Sequence, residues 1–122
     1  MEQPTDLANF HHPLTGLFDL PRTAGIGALS GDQVSFFREN GYLSGIQILT
    51  DEQINVLRAD LERLMQPEQA ENPLFYEYHL NESKDPSRTL FHALGAWRVS
   101  PAFHDLIFHP LIAAAASQLL DG

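Results

Sequence analysis

Apolar residues recur with the period of a helix between Thr50 and Gln66. The apolar positions, separated by three, four and three residues, are Ile54, Leu57, Leu61 and Leu64. Charged residues such as Arg58, Asp60 and Glu62 occupy positions between them, which is typical of an amphipathic helix that buries one face. Thr50 is followed three residues later by Gln53, the spacing of a capping box. The pattern predicts a helix that packs its leucine face against a core.

Capping signals predict further helices on either side of this one. Ser30 opens the sequence S-G-D-Q, a second capping box, and Gly41 can end that helix in the left-handed conformation. Ser100 followed by Pro101 is typical of a cap and first position of another helix. Residues 111–120 are rich in alanine, which favours a last helix. We expect Asp121-Gly122 to stop it.

Three segments have the alternating or aromatic pattern of strands. They are Tyr42–Leu49, Leu74–Leu80 and part of Thr89–Val99. Residues 1–29 contain many prolines and glycines, so we expect an irregular arm that docks through its apolar residues. The prediction is an α+β chain with a domain over residues 30–122 and a partial sheet with open edges.

Composition removes several classes of function. The 122 residues carry 7 Lys and Arg against 16 Asp and Glu, a net charge of -9, and the basic residues do not cluster. This excludes the phosphate contacts of a nucleic-acid binder and weighs against an anionic membrane surface. The chain has no cysteine, which excludes disulfides and thiolate metal sites. With no signal peptide or membrane-spanning run, we expect a cytoplasmic or other soluble intracellular protein.

Two stretches of the chain resemble a known enzyme family. The first is LSGDQVSFFRENGYLSGIQILTDEQINVLRADLERLM, with F-x-E-N-G-Y followed by a capped helix, and the second is LGAWRVSPAFHDLIFHPLIAAAASQLLDG. In this order and at about this spacing they are similar to the opening of phytanoyl-CoA dioxygenase family proteins. Together they cover most of the chain from Leu29 to Gly122.

The resemblance implies the N-terminal part of a double-stranded β-helix, also called a jelly-roll or cupin-like fold. Enzymes of this family use Fe(II), 2-oxoglutarate and dioxygen to hydroxylate a small-molecule or acyl-type substrate. The iron is held by two histidines and a carboxylate, the first two ligands lying in an H-x-D pair beyond the L-L-x-G element. No H-x-D or H-x-E occurs in these residues. We therefore expect no catalytic residue and no bound iron in residues 1–122, and no activity from this chain alone.

Two alternatives stay open at this stage. A halogenating relative, with a small residue in place of the carboxylate, shares the same opening sequence. A non-enzymatic module could instead bind a protein partner through unfilled apolar faces. The partner would be a missing C-terminal half or a second copy of the chain.

The resemblance also suggests pocket residues in the segment that approaches the active-site mouth of the family. His92 is predicted to bind a cofactor there, and Trp97 and Arg98 to line the substrate pocket. Arg98 could pair with a carboxylate. The ordinary alternatives are core packing for Trp97 and a solvated surface charge for Arg98.

The other histidines predict no metal site. His11 and His12 are adjacent in the arm, and neighbouring residues rarely face one ion. His104, Asp105 and His109 form H-D-x-x-x-H, whose histidines are five residues apart. On a helix such positions point in different directions, unlike an i, i+4 pair. A structural role is therefore expected for these residues: His11, His12, His104, Asp105 and His109.

Overall fold

A computed structural model describes residues 5–20 and 28–122 of the chain. The helices and strands, in chain order, are α1 Gly31–Asn40, α2 Asp51–Leu64, β1 Glu77–His79, β2 His92–Leu94, α3 Pro101–Leu106 and α4 Pro110–Leu119. Short 3-10 helices are Leu7–Phe10, Pro67–Glu71 and Ala96–Arg98. The described part is thus an α+β arrangement. None of its helices combines the length and apolar character needed to cross a membrane.

Both predicted capping boxes are confirmed. Ser30 accepts a hydrogen bond from the N–H of Gln33, whose side chain accepts from the N–H of Ser30. Thr50 and Gln53 make the same reciprocal pair at the start of α2. Gly41 ends α1 with φ 78°, the left-handed conformation that favours glycine. The starts of these two helices could be predicted because the two partners of a capping box are only three positions apart in sequence.

The strand predicted for Tyr42–Leu49 is wrong. Residues 42–50 are irregular, and Gly45 has φ 80°, which interrupts an extended strand. The segment also has no strand partner within the described residues. The predicted strand Leu74–Leu80 shortens to β1, and Thr89–Val99 contains β2.

The two strands form an antiparallel ribbon in which His79 lies opposite His92. On its inner face the ring of Tyr78 packs near Phe75 and Phe91, with centroids 5.1 and 5.4 Å away. The Tyr78 hydroxyl donates to the carbonyl of Leu64 at 2.7 Å, joining the ribbon to the end of α2. Because a two-stranded ribbon is compatible with many folds, the jelly-roll assignment stays a prediction.

The buried face of α2 differs from the predicted one. Leu57 and Leu64 are buried, but Leu61 is 37% exposed, and Asp60, expected on the polar face, is only 5% exposed. The reason is a polar contact between helices, because the hydroxyl of Ser100 at the start of α3 donates to the Asp60 carboxylate. The packing against α3 thus rotates the buried face of α2 towards Asp60.

The arm is docked, as predicted, over the part that is described. Its Phe18 is 5% exposed and belongs to the core. The core combines one side chain each from the arm, α2 and α3: Phe18, Leu57 and Ala102. Pro21, Gly25 and Gly27 of the predicted arm lie outside the described residues. The arm is therefore a structural part of the fold between residues 5 and 20.

Candidate functional site

A buried polar cluster joins the arm to α3. His104 is 1% exposed and Asp105 is 3% exposed. One carboxylate oxygen of Asp105 accepts from the backbone N–H of Thr15 at 2.7 Å and from its hydroxyl at 2.5 Å. The other oxygen lies 2.9 Å from Nδ1 of His104. Nε2 of His104 in turn lies 3.0 Å from Nδ1 of His11.

The chain of hydrogen bonds has one fixed direction at its buried end. An ionised carboxylate only accepts, so Nδ1 of His104 donates to Asp105. Between Nε2 of His104 and Nδ1 of His11, one nitrogen donates and the other accepts. The cluster is a relay from the Asp105 carboxylate through two imidazoles.

The ionisation of Asp105 follows from its neighbours. Burial is the largest single influence and raises the pKa of the carboxyl, because a charge is costly away from water. The hydrogen bonds from Thr15 and His104, together with the charge of His104, outweigh it, so the pKa lies below its ordinary value. Asp105 is therefore an anion at neutral pH and holds its three donors.

Aromatic rings surround the relay. The His11 ring stacks on Trp97 with centroids 4.9 Å apart, and Phe10 meets the same indole edge-on at 6.4 Å. The His12 ring lies over His104 at 3.8 Å. These ring contacts hold His11 and His12 against α3 and the segment before it, although both histidines are exposed to solvent.

His12, His104 and Asp105 are two imidazoles and a carboxylate, the ligand types that hold iron in 2-oxoglutarate oxygenases. The arrangement does not fit that role. Both nitrogens of His104 and both oxygens of Asp105 already hold protein hydrogen bonds. Nδ1 of His12 donates to the Pro13 carbonyl at 2.8 Å. The cluster is better explained as the clamp that fastens the arm, so no iron chemistry is derived from it.

Trp97 and Arg98, predicted for a substrate pocket, lie together beside the arm. The guanidinium carbon of Arg98 is 4.1 Å from the centroid of Phe10 and 4.5 Å from that of Tyr76. The side chain thus makes cation–π contacts on two rings. Its buried Nε has no hydrogen-bond partner among the described residues. No carboxylate of the described residues pairs with Arg98, and its side chain is half-buried rather than fully solvated.

His92, predicted to bind a cofactor, belongs to a different cluster. It lies on the outer face of β2, and its Nδ1 is 3.1 Å from a carboxylate oxygen of Glu82. The structure therefore does not bring His92 together with the Trp97 and Arg98 contacts on Phe10. A cofactor role for His92 stays a prediction.

His109 is buried and caps α4. Its Nδ1 accepts from the N–H of Leu111 at 3.1 Å, which leaves the proton on Nε2. That Nε2 has no partner in the described part of the chain. His109 also lines a cavity of about 270 Å³ with Leu49 and Gln53. The expectation of a structural role agrees with the capping bond.

The sequence did not single out Thr15, His104 or Asp105 as a cluster. Spacing along one helix relates residues a few positions apart, whereas Thr15, which donates twice to Asp105, lies in the arm 90 residues earlier. No local pattern reports such a contact. The adjacent polar pair His104-Asp105 inside an otherwise apolar segment was the available signal, because buried polar residues need partners.

Gly95 positions the ring that supports Arg98. Its φ is 93°, and an added Cβ would lie 2.9 Å from Cδ2 of Tyr76 and 3.2 Å from the Leu74 carbonyl oxygen. We expect Gly95→Ala to lower the free energy of unfolding by about 2 kcal/mol or more, from backbone strain and displacement of Tyr76. The measurement is urea unfolding followed by circular dichroism. Gly45→Ala is the control, since Gly45 has φ 80° but open space around it. Equal losses would show that the contact with Tyr76 adds nothing.

The chain matches no protein-family model, no curated protein and no solved structure. The resemblance to phytanoyl-CoA dioxygenases therefore rests on the two quoted stretches of sequence, and membership of that family is a proposal.

Proposed function

We propose that this chain is the helical N-terminal layer of an Fe(II)/2-oxoglutarate-dependent dioxygenase that hydroxylates a small-molecule or acyl-type substrate. Its iron ligands would come from polypeptide other than these residues. The observation that carries the proposal is that the two stretches with the family resemblance, far apart in sequence, pack against each other.

The contacts between the two stretches are specific at both ends. The side chain of Gln118 on α4 accepts from the N–H of Leu29 at 2.8 Å and donates to its carbonyl at 2.9 Å. Arg38 of α1 and Asp121 after α4 form an ion pair at 2.9 Å. Such bonds between distant segments are expected if both stretches belong to one domain layer.

Exposed apolar side chains on helices and loops of the described part also support a partial domain. These exposed residues include Tyr42, Tyr76, Leu90, Leu94, Ile107, Phe108 and Leu120. In the proposed enzyme the catalytic sheet of the same fold would cover such side chains.

Within this proposal the chain supplies pocket residues rather than metal ligands. Arg98 is held between Phe10 and Tyr76, so its planar guanidinium has few alternative positions. A fixed guanidinium can bind a carboxylate through two parallel hydrogen bonds. Arg98, beside Trp97, is therefore the residue we expect to meet an acidic group of the substrate.

The test uses the full reading frame that contains these 122 residues, including any codons after Gly122. We expect that frame to encode H-x-D and a later histidine. Its product should form the coloured Fe(II)–2-oxoglutarate complex without oxygen and release succinate when oxygen is admitted. The 122-residue chain alone, under the same conditions, is the control and should do neither.

Other outcomes would change the assignment. H-x-G or H-x-A in place of H-x-D would replace hydroxylation by halogenation. A frame with no such motif, whose product forms no complex with iron and 2-oxoglutarate, would overturn the oxygenase proposal. The exposed apolar side chains would then favour the second candidate, a protein-binding module. Sedimentation of that chain as a compact monomer would contradict the second candidate.

A further inference from the structure

Four side chains of the types that bind metals in proteins lie on or beside the outer face of the β-ribbon. Glu77 and His79 lie two residues apart on β1, so both point to the same face. His92 is paired directly opposite His79 on β2. Glu82 follows just after β1. The four groups are part-exposed, with Tyr78 turned to the other face.

The ligand atoms of this group lie close together. One atom each from Glu77, Glu82 and His92 fall within 4.8 Å of one another. Nδ1 of His92 is 3.1 Å from Glu82 Oε2, and Nε2 of His79 is 2.7 Å from Glu77 Oε1. Ligand atoms around tetrahedral zinc are separated by about 3.3 Å, given bonds of about 2.0–2.1 Å. These side chains are part-exposed, unlike the buried His104–Asp105 pair, so their hydrogen bonds can be exchanged for bonds to an ion with a small closure of the side chains.

The backbone holds the position of Glu82. Its N–H donates to the Leu90 carbonyl at 2.8 Å, which continues the pairing of the strands beyond β1 and β2. The side chain of Asn81 closes the intervening loop by accepting from the N–H groups of Ser83 and Leu90, both at 2.9 Å. A ligand set on a ribbon and a closed loop loses little freedom when a metal binds.

We propose that Glu77, Glu82 and His92 form a zinc site, and that His79 holds the Glu77 carboxylate in place. Imidazole and carboxylate are both zinc ligands, and three protein ligands leave one position for water or another group. A purely acidic set would favour calcium or magnesium, whereas an imidazole favours zinc. This role for His92 differs from the cofactor role predicted for it from the sequence, which stays a separate prediction. The site is independent of the proposed oxygenase activity.

A metal here would fasten the ribbon to its loop. Zinc would bridge β1, β2 and Glu82 in the loop after β1, and so restrict separation of two strands that share few hydrogen bonds. Binding energy of a metal held only by the folded ribbon adds to stability. The expected consequence is slower hydrogen exchange of the ribbon amides with zinc bound.

The test is calorimetric titration of the untagged 122-residue chain with Zn²⁺, with Co²⁺ as a second probe whose visible bands report tetrahedral ligands. We expect one ion per chain. His92→Gln and Glu82→Gln should abolish binding, and His79→Gln should weaken it by about 10- to 100-fold, as loss of a group that only orients a ligand does. All three side chains are part-exposed, so the variants should keep the wild-type circular dichroism.

The control is His12→Gln, which changes the other histidine cluster and should leave the affinity unchanged. Wild-type affinity in both His92→Gln and Glu82→Gln would overturn the proposal, as would loss of binding in His12→Gln alone. Absence of Zn²⁺ binding to the folded wild-type chain would overturn it as well. None of these outcomes depends on iron or 2-oxoglutarate, so failure here is separate from failure of the oxygenase proposal.

Discussion

Asp105→Ala should lower the free energy of unfolding by about 3 kcal/mol or more. The substitution leaves the N–H and hydroxyl of Thr15 and the Nδ1–H of His104 without their acceptor. Of these donors the His104 ring is buried, and an unsatisfied buried donor costs about 1–3 kcal/mol. Each hydrogen bond to a charged group contributes about 1.5–3 kcal/mol. Such a loss is a large share of the total stability of a small domain, about 5–15 kcal/mol. Urea unfolding, with hydrogen exchange of the arm amides, measures both the loss and its location.

Thr15→Val is the matched control for this prediction. It removes the hydroxyl donor but keeps the backbone N–H bond to Asp105, so we expect a loss of about 1 kcal/mol. In Asp105→Ala the amides of the arm should exchange faster than those of α2. Equal exchange in both elements, or a loss no larger than that of Thr15→Val, would contradict the clamp.

The Asp105 carboxylate also makes the free energy of unfolding depend on pH. The pKa of Asp105 is lowered in the folded chain, so its contribution to stability is present above the unfolded value of about 3.9. That contribution is lost as the pH falls through the lower folded pKa. Wild-type stability should therefore fall more steeply below pH of about 4 than the stability of Asp105→Ala.

The sequence predicted the features that depend on neighbouring residues. The caps at Ser30, Thr50 and Ser100 need partners only three positions away, and all three form. The two short strands of the ribbon also lie within predicted segments. The strand prediction for Tyr42–Leu49 was wrong because a strand requires a partner, and the choice of partner depends on the whole fold.

The candidate sites depended on contacts that no local pattern reports. Asp60 was assigned to a polar helix face, but the hydroxyl of Ser100, 40 residues away, allows it to be buried. The Asp105 carboxylate accepts hydrogen bonds from Thr15 in the arm. In the cluster on the β-ribbon, the pairing of the two strands places His79 opposite His92. The sequence alone does not determine this register. In each case a polar residue is explained by a distant partner.

Phe18→Ala tests whether the arm belongs to the core rather than lying on it. Phe18 is 5% exposed, packs with Leu57 and Ala102, and its ring lies 5.3 Å from that of His109. Truncating a buried phenylalanine costs about 3–5 kcal/mol through lost contacts and the cavity that remains. In a chain with so small a buried core, we expect a large unfolded population at room temperature, measured by circular dichroism and urea titration.

Leu14→Ala provides the comparison for Phe18, because Leu14 is in the same arm but 54% exposed. It should change the free energy of unfolding by less than about 1 kcal/mol, as exposed positions do. If both variants lose little, the arm contributes no core and the Asp105 clamp would fasten a dispensable segment. If only Phe18→Ala is costly, the clamp and the core act together. Asp105 then fixes the segment whose apolar side chain completes the packing between α2 and α3.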